Sequence, residues 1–387
     1  MALTDELATG VVPAGSPELL STFDLTPARA AGWTLFAFGV LGSLLEPPLL
    51  ALAHGRRARP MRAAALALMA ATSLAAALAP SYWLLLAALA LYGPASGLGV
   101  NLAQAALVAA NPRRCEAVLA RWELLGLVGD LLAPAALALS VALGLGWRGA
   151  MGAVALLAAL QAVAALRTRA DESEVEQEPA GSSLRETLRE LLRCRPLMAW
   201  SLVGVLCGLM DEVLVAFGAL FVAERVGVDA TGRALILGAW MLGGMLGAVL
   251  LERWASRLRP STLLAGSGVG CAAAYALWLG ATSWVGSALA LGVAGLFATA
   301  HYPLLRARAF AALPHRPHVV LAAGSLFGAL DLTLPLLVGA VADGPGVLAA
   351  LLLLLAQPLG VALAAVAARR GEATSLAPAA RHRAQGL

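Results

Sequence analysis

Long apolar runs, most of them near the length of a membrane crossing and divided by short polar breaks, set the pattern of this chain. In the first half they fall at 29–53, 61–79, 82–110, 118–143 and 148–168. In the second half they fall at 197–224, 231–252, 260–280, 284–310, 317–341 and 346–368. Residues 1–23 form a weaker apolar stretch, interrupted by Asp5 and Glu6. A transmembrane barrel would show short alternating strands instead, so each run reads as a helix and the chain as an all-α polytopic membrane protein.

Landmarks in this pattern occur twice. Leu3-Thr4-Asp5-Glu6-Leu7 is echoed by Leu209-Met210-Asp211-Glu212-Val213, and Glu18 by Glu224 at the same offset. Asp130 four residues before Pro134 is matched by Asp331 four residues before Pro335, and the basic turn ending Arg59-Pro60 by Arg259-Pro260. Two halves with matching landmarks are the mark of a duplicated transporter. The expected organisation is a six-helix bundle over 1–168, a linker over 169–195, a second six-helix bundle over 196–368 and a tail over 369–387.

Charge sets the orientation. Arg56, Arg57, Arg59 and Arg62 follow the second span, and Arg113, Arg114 and Arg121 the fourth. Arg253, Arg257 and Arg259 follow the eighth, and Arg308 and Arg316 the tenth, while the intervening loops are nearly bare. The positive-inside rule then gives twelve spans with both termini cytoplasmic, in the cytoplasmic (inner) membrane. The second half has fourteen residues, Leu197 to Met210, ahead of Asp211, whereas only Met1 to Thr4 precede Asp5. The first helix therefore reads as truncated, through a start assigned too late or through degeneration of the helix.

Composition removes other classes. Apolar residues make up 60% and charged residues 13%, with a mean hydropathy of +0.82, outside the range of soluble domains. There is no Lys, and the net charge of +4 comes from Arg scattered over short loops, which is no nucleic-acid signature. Cys115, Cys194, Cys207 and Cys271 have neither metal-ligand nor disulfide spacing. Asp5 and Glu6 stand where a cleavable leader would be basic. Neither His-Glu-x-x-His nor Gly-x-Ser-x-Gly occurs, and no phosphate-binding loop, so the chain reads as no enzyme and as needing no cofactor or metal.

The linker opens with the acidic stretch 171–176, and Ser183-Leu184-Arg185-Glu186 reads as a capping box. The helix it starts carries Leu184, Leu188, Leu191 and Leu192 on one face and Arg185, Arg189 and Arg193 on another. It would lie flat on the inner leaflet, either as a tether or as a regulatory element.

The repeat, the basic loops after spans two and eight and the long central loop resemble the major facilitator superfamily over essentially the whole chain. That family's loop after span two commonly reads G-x-x-x-D-R-x-G-R-R. Here Gly55-Arg56-Arg57 is a shortened version with His54 in place of the acid, and Glu252-Arg253-Trp254-Ala255-Ser256-Arg257 is similar with the acid kept. Glu46 is a candidate for the missing acid. The resemblance implies a twelve-helix fold of two six-helix pseudo-repeats and alternating-access transport, with Glu46, Arg56, Arg57, Glu252 and Arg253 as gating candidates. Anchoring of the loops is the competing role for the arginines. Gly126, Gly129, Asp130 and Pro134 partly match a fifth-span pattern associated in the family with proton-exchanging exporters.

A mid-membrane carboxylate costs roughly 2.5–3.5 kcal/mol on insertion scales and must face a cavity or a partner. Asp5, Glu6, Asp211 and Glu212 are the proton-coupling candidates, against a purely structural hydrogen bond. Adjacent helical residues point about 100° apart, so one of each pair should face the cavity and the other a neighbouring helix. Asp130 with Pro134 and Asp331 with Pro335 are candidate hinges, and Asp331 is also a substrate contact. Asn101, Gln104, Trp240 and His301 are further cavity candidates, with interhelical contact as the alternative for the amides and the imidazole. Arg306 should snorkel to the interface. The expected function is proton-coupled secondary transport of a small cationic or neutral solute, with efflux ahead of uptake or facilitated passage of a sugar or other metabolite; a non-transporting sensor of the same fold is a third reading. A monomer in the bilayer is expected.

Overall fold

The computed structural model describes residues 1–53, 57–111, 115–167, 184–255, 257–313, 319–320, 323, 327–328 and 330–369, and all regular structure among them is helical. His54, Gly55, Arg56, Arg113, Arg114, Arg316, the acidic stretch 171–176, Ser183 and the tail from 370 lie outside the described residues, as do the side chains of 184–188. In order come α1 (Ala2–Ala14), α2 (Ser16–Phe23), a π-helical turn Ala28–Trp33 leading into α3 (Thr34–Leu52), α4 (Ala58–Leu78), α5 (Tyr82–Ala110), α6 (Cys115–Ala142) and α7 (Gly146–Arg167). The linker helix α8 (Leu184–Arg193) follows. Then come α9 (Arg195–Val205), a 3₁₀ turn Leu206–Met210, α10 (Glu212–Arg225), α11 (Ala230–Ala255), α12 (Pro260–Gly280), α13 (Trp284–Ala298), α14 (His301–Ala312), α15 (Leu334–Asp343) and α16 (Val347–Leu353), whose span runs on to Arg369. Among the described residues ten helical segments are long and apolar enough to cross a membrane; the α1–α2 pair and the segment ending in α15 complete the twelve-helix fold.

The two halves pack by one scheme. The α3–α5 pair in the first is matched by the α11–α13 pair in the second. Small residues make both pairs possible: Gly93 lies against the Phe38 carbonyl and Gly243 against the Gly292 carbonyl, so a Cβ at either would strike backbone oxygen. Gly126 and Gly129 do the same for α1, which crosses α6 with Glu6 and the Leu3 backbone over them. In lipid there is no hydrophobic drive to bring helices together, so close backbone approach of this kind supplies much of the attraction.

Contacts between the halves gather at the end of the bundle that carries the bare loops. The π-helical turn packs on α15, where the Ala28 N–H donates to Asp343 Oδ1 at 2.8 Å and Gly339 sits on the Ala28 backbone. The same end joins α1 and α2 to α10. It also holds an ion pair that crosses the halves, Arg233 of α11 with Glu18 of α2, whose side chains are only 9% and 18% exposed. Within the first half, Tyr82 Oη donates to the Arg29 carbonyl at 2.6 Å and Arg148 to that of Ala77 at 2.8 Å, while Phe23, Tyr82 and Trp147 form an aromatic cluster beneath them.

The linker helix departs from its expected posture. Leu191 is 2% exposed and packs with Leu197, Val319, Val320 and Ala323 of the second half, whereas Leu192 is 59% exposed. Protein takes up Leu191 because a cleft between the α9 and α14 segments lies within reach of this short helix, so its apolar face is divided between protein and surroundings.

Removing one member of a buried ion pair strands the other charge, at a cost of about 3–5 kcal/mol. Arg233→Ala is therefore expected to lower the thermal midpoint measurably and to raise solvent labelling of a cysteine placed at Ala28. Glu18→Gln combined with Arg233→Gln should recover most of the midpoint.

Candidate functional site

Between the halves lies a cavity of about 590 Å³. Its wall takes Glu6, Thr9 and Gly10 from α1, Asp130 and Pro134 from α6, Trp240, Met241 and Gly244 from α11, and Asp211, Glu212, Asp331 and Gln357 from the second half. Five carboxylates line it, from both halves, and no Arg, Lys or His does so among the described residues. A side lobe of about 330 Å³ continues from Thr9, Gly208, Glu212 and Asp331 past Phe38, Glu46, Tyr92 and Ser96. With the halves joined at the bare-loop end, the cavity opens toward the arginine-bearing end.

The two Asp-Glu pairs are built differently. In the first half α1 runs unbroken through Asp5 and Glu6, so the two side chains diverge. Asp5 Oδ1 accepts from Ser96 Oγ at 2.6 Å and Tyr92 Oη at 3.0 Å, both on α5, and Asp5 does not line the cavity. Glu6 turns the other way, over Gly126, and lines the cavity, as does Asp130 of α6. Tyr92 and Ser96 stand one helical turn apart, and that spacing is the signal by which they could have been recognised as a polar pair.

In the second half the helix breaks. α9 ends at Val205, a 3₁₀ turn follows, and Asp211 takes φ −130° and ψ −125° before α10 starts. Asp211 and Glu212 consequently both line the cavity. The expectation that one would face a neighbouring helix is corrected here, because the 100° rule holds only along an unbroken helix. The break frees backbone groups that water cannot reach. Met210 N–H donates to Gln357 Oε1 at 2.8 Å, and Gln357 Nε2 lies 3.2 Å from His301 Nδ1, all of it buried. His301 is 1% exposed, so it belongs to this brace and not to the cavity wall. Gln357 was not singled out in the sequence, though it is the one amide in the last apolar run.

Asp130 and Asp331 also part company. Pro134 lies inside an uninterrupted α6, whereas Pro335 sits in the first turn of α15, after an irregular step at Leu332 and Thr333. Asp331 rests directly on Gly208 of the 3₁₀ turn, where any side chain would collide with its carboxylate. The broken helix and this aspartate thus fit each other.

Other candidates lie away from the main cavity. Asn101 Nδ2 donates to Glu46 Oε1 at 2.8 Å, and neither Asn101 nor Gln104 lines it. Glu46 faces the side lobe, and Arg56, one of the arginines it would meet in the loop, lies outside the described residues. Glu252 and Arg253 are exposed at the end of α11. Trp240 and Asp331 line the main cavity. The Arg306 guanidinium lies 5.6 Å from the Tyr302 ring centroid and 5.9 Å from that of Phe310. Arg233 was not singled out either, although a charge at the edge of an apolar run marks it.

A family model described as Major Facilitator Superfamily matches residues 3–330. The chain matches no curated protein sequence. Among solved structures it is similar to a bacterial homolog of the human lysosomal transporter Spinster in an inward-facing, unoccupied conformation, with 17% identity over 94% of this chain and 91% of that one and a TM-score of 0.71. It is also similar to the nucleoside transporter NupG, with 16% identity, 95% and 96% coverage and a TM-score of 0.75. A D-xylose–proton symporter matches with 14% identity, 94% and 95% coverage and a TM-score of 0.68.

An unsatisfied buried amide costs roughly 1–3 kcal/mol. Gln357→Leu should lower stability by about that amount and speed amide exchange selectively around Met210. Unchanged exchange there would mean that the Gln357 bond does not hold the break.

Proposed function

Because the chain belongs to the major facilitator superfamily, we propose that it moves a small solute across the cytoplasmic membrane by alternating access, in the direction of efflux and coupled to protons. The observation that carries the coupling is the gathering of Glu6 and Asp130 from one half with Asp211, Glu212 and Asp331 from the other on a single cavity. Carboxylates sharing a cavity away from bulk water keep their charges at a cost, which protons taken up from either side relieve. Those protons would be held on a wall that both halves build.

The sequence of events follows from charge. With the cavity open toward the arginine-bearing end, a cationic solute entering among five carboxylates lowers their mutual repulsion, and a proton held among them becomes dispensable. When the bundles of residues 1–168 and 196–368 rock, the Glu18–Arg233 pair separates and the opposite end opens. Protons arriving there compete for the same carboxylates and release the solute outward. Loaded with protons, the protein returns. An acidic wall without a lining cation suits a cationic or neutral solute and disfavours an anion. Asp5, held by Tyr92 and Ser96, fixes α1 to α5 and takes no part in the exchange.

The test is substrate-driven proton movement in proteoliposomes, across a panel of lipophilic cations and neutral solutes. Glu6→Gln, Asp130→Asn and Asp211→Asn are each expected to lower proton movement at least tenfold. Asp5→Asn, which keeps an acceptor for Tyr92 and Ser96, should retain most of it. Full coupling in the Glu6→Gln, Asp130→Asn double variant would sink the proton assignment.

A further inference from the structure

A third space, of about 200 Å³, opens off the main cavity between α9, α14 and the segment before α15. It shares Gly204, Tyr302 and Asp331 with the main cavity, so the two are continuous. Gly204 and Gly328 keep its walls open, as nothing lies within 4 Å of where their Cβ atoms would be. The rest of the wall is chemically unlike the main cavity. It is built from Trp200, Tyr302, Phe327 and Leu305, with one cation, Arg306.

Arg306 is poised. Its Nη1 donates to Tyr302 Oη at 2.9 Å and its plane is held against the Tyr302 and Phe310 rings, which restricts the side chain to one site. No carboxylate pairs with it among the described residues, although Asp331 lines the same space. A guanidinium held against aromatic rings, with one hydrogen bond among the described residues, is suited to take an anionic oxygen group. The space therefore offers an anion site, an apolar and aromatic wall, and an acid at the junction with a strongly acidic cavity.

We propose that this side space binds the anionic end of a zwitterionic amphiphile, with phosphate or carboxylate on Arg306, the apolar body against Trp200 and Phe327, and the ammonium on Asp331 at the main cavity. The inference rests on the transporter reading above and narrows its solute class. A purely cationic solute would leave Arg306 unused, and a purely anionic one would meet the five carboxylates. The same chemistry comes from a soluble zwitterion or from the headgroup of a membrane lipid.

Binding of hexylphosphocholine and hexyltrimethylammonium to the purified full chain in a neutral maltoside detergent, followed by calorimetry, separates the contributions. The two probes share a tail and a quaternary ammonium and differ by the phosphate. The native protein should bind the phosphocholine more tightly. Arg306→Gln should weaken the phosphocholine about tenfold or more and leave the trimethylammonium unchanged, with partial rescue by Arg306→Lys. Asp331→Asn should weaken both. Equal weakening of the two probes by Arg306→Gln, no effect on either, or preference of the native protein for the trimethylammonium would each overturn the proposal. Mass spectrometry of the purified protein distinguishes the sources. A zwitterionic lipid retained by the native chain and lost in Arg306→Gln identifies a headgroup; its absence, with hexylphosphocholine still bound through Arg306, identifies a soluble solute. These are binding measurements without a proton gradient, so failure of proton coupling and failure of this site are read separately.

Discussion

Inside a bilayer a polar group has no water to fall back on, and each one must find its partner in the protein or open onto an aqueous cavity. That constraint accounts for nearly every polar contact seen here. Asp5 is closed off by two hydroxyl groups of α5. Met210, whose amide loses its helical partner at the break, is served by Gln357, and Gln357 in turn by His301. Five further carboxylates are gathered on one cavity.

The same constraint explains how a duplicated chain comes to hold two unlike halves. Asp5 and Asp211 occupy matching places in the sequence, as do Asp130 and Asp331. One aspartate of each pair sits on a continuous helix and the other beside a broken one. In the first half the intact α1 presses on Gly126 and Gly129 and brings Glu6 to Asp130. In the second, the 3₁₀ turn at Leu206–Met210 makes room for Asp331 over Gly208 and turns Asp211 and Glu212 together into the cavity. A stiff half and a jointed half, clasped at one end by Glu18 and Arg233, form an arrangement suited to rocking once that clasp separates.

Several features of the molecule were legible in the sequence because they depend on local spacing. Helical spans follow from run length, the repeat from matched landmarks, and the close helix pairs from small residues at Gly93 and Gly243. The divergence of Asp5 and Glu6 follows from helical geometry alone. The matching expectation at Asp211 and Glu212 did not hold, since nothing in Leu206–Met210 announces a change from α to 3₁₀ winding. Nor does spacing announce that Glu46 accepts a hydrogen bond from Asn101, more than fifty residues along the chain.

What the sequence by itself determined is therefore the list of charges that the membrane must accommodate and the helices that carry them, because hydropathy and periodicity act over a few turns of chain. Which carboxylates are tied off and which face the cavity was decided only by tertiary structure. Those outcomes depend on contacts such as Arg233 with Glu18 and Gln357 with Met210, whose partners are separated by more than a hundred residues and meet only when the helices pack.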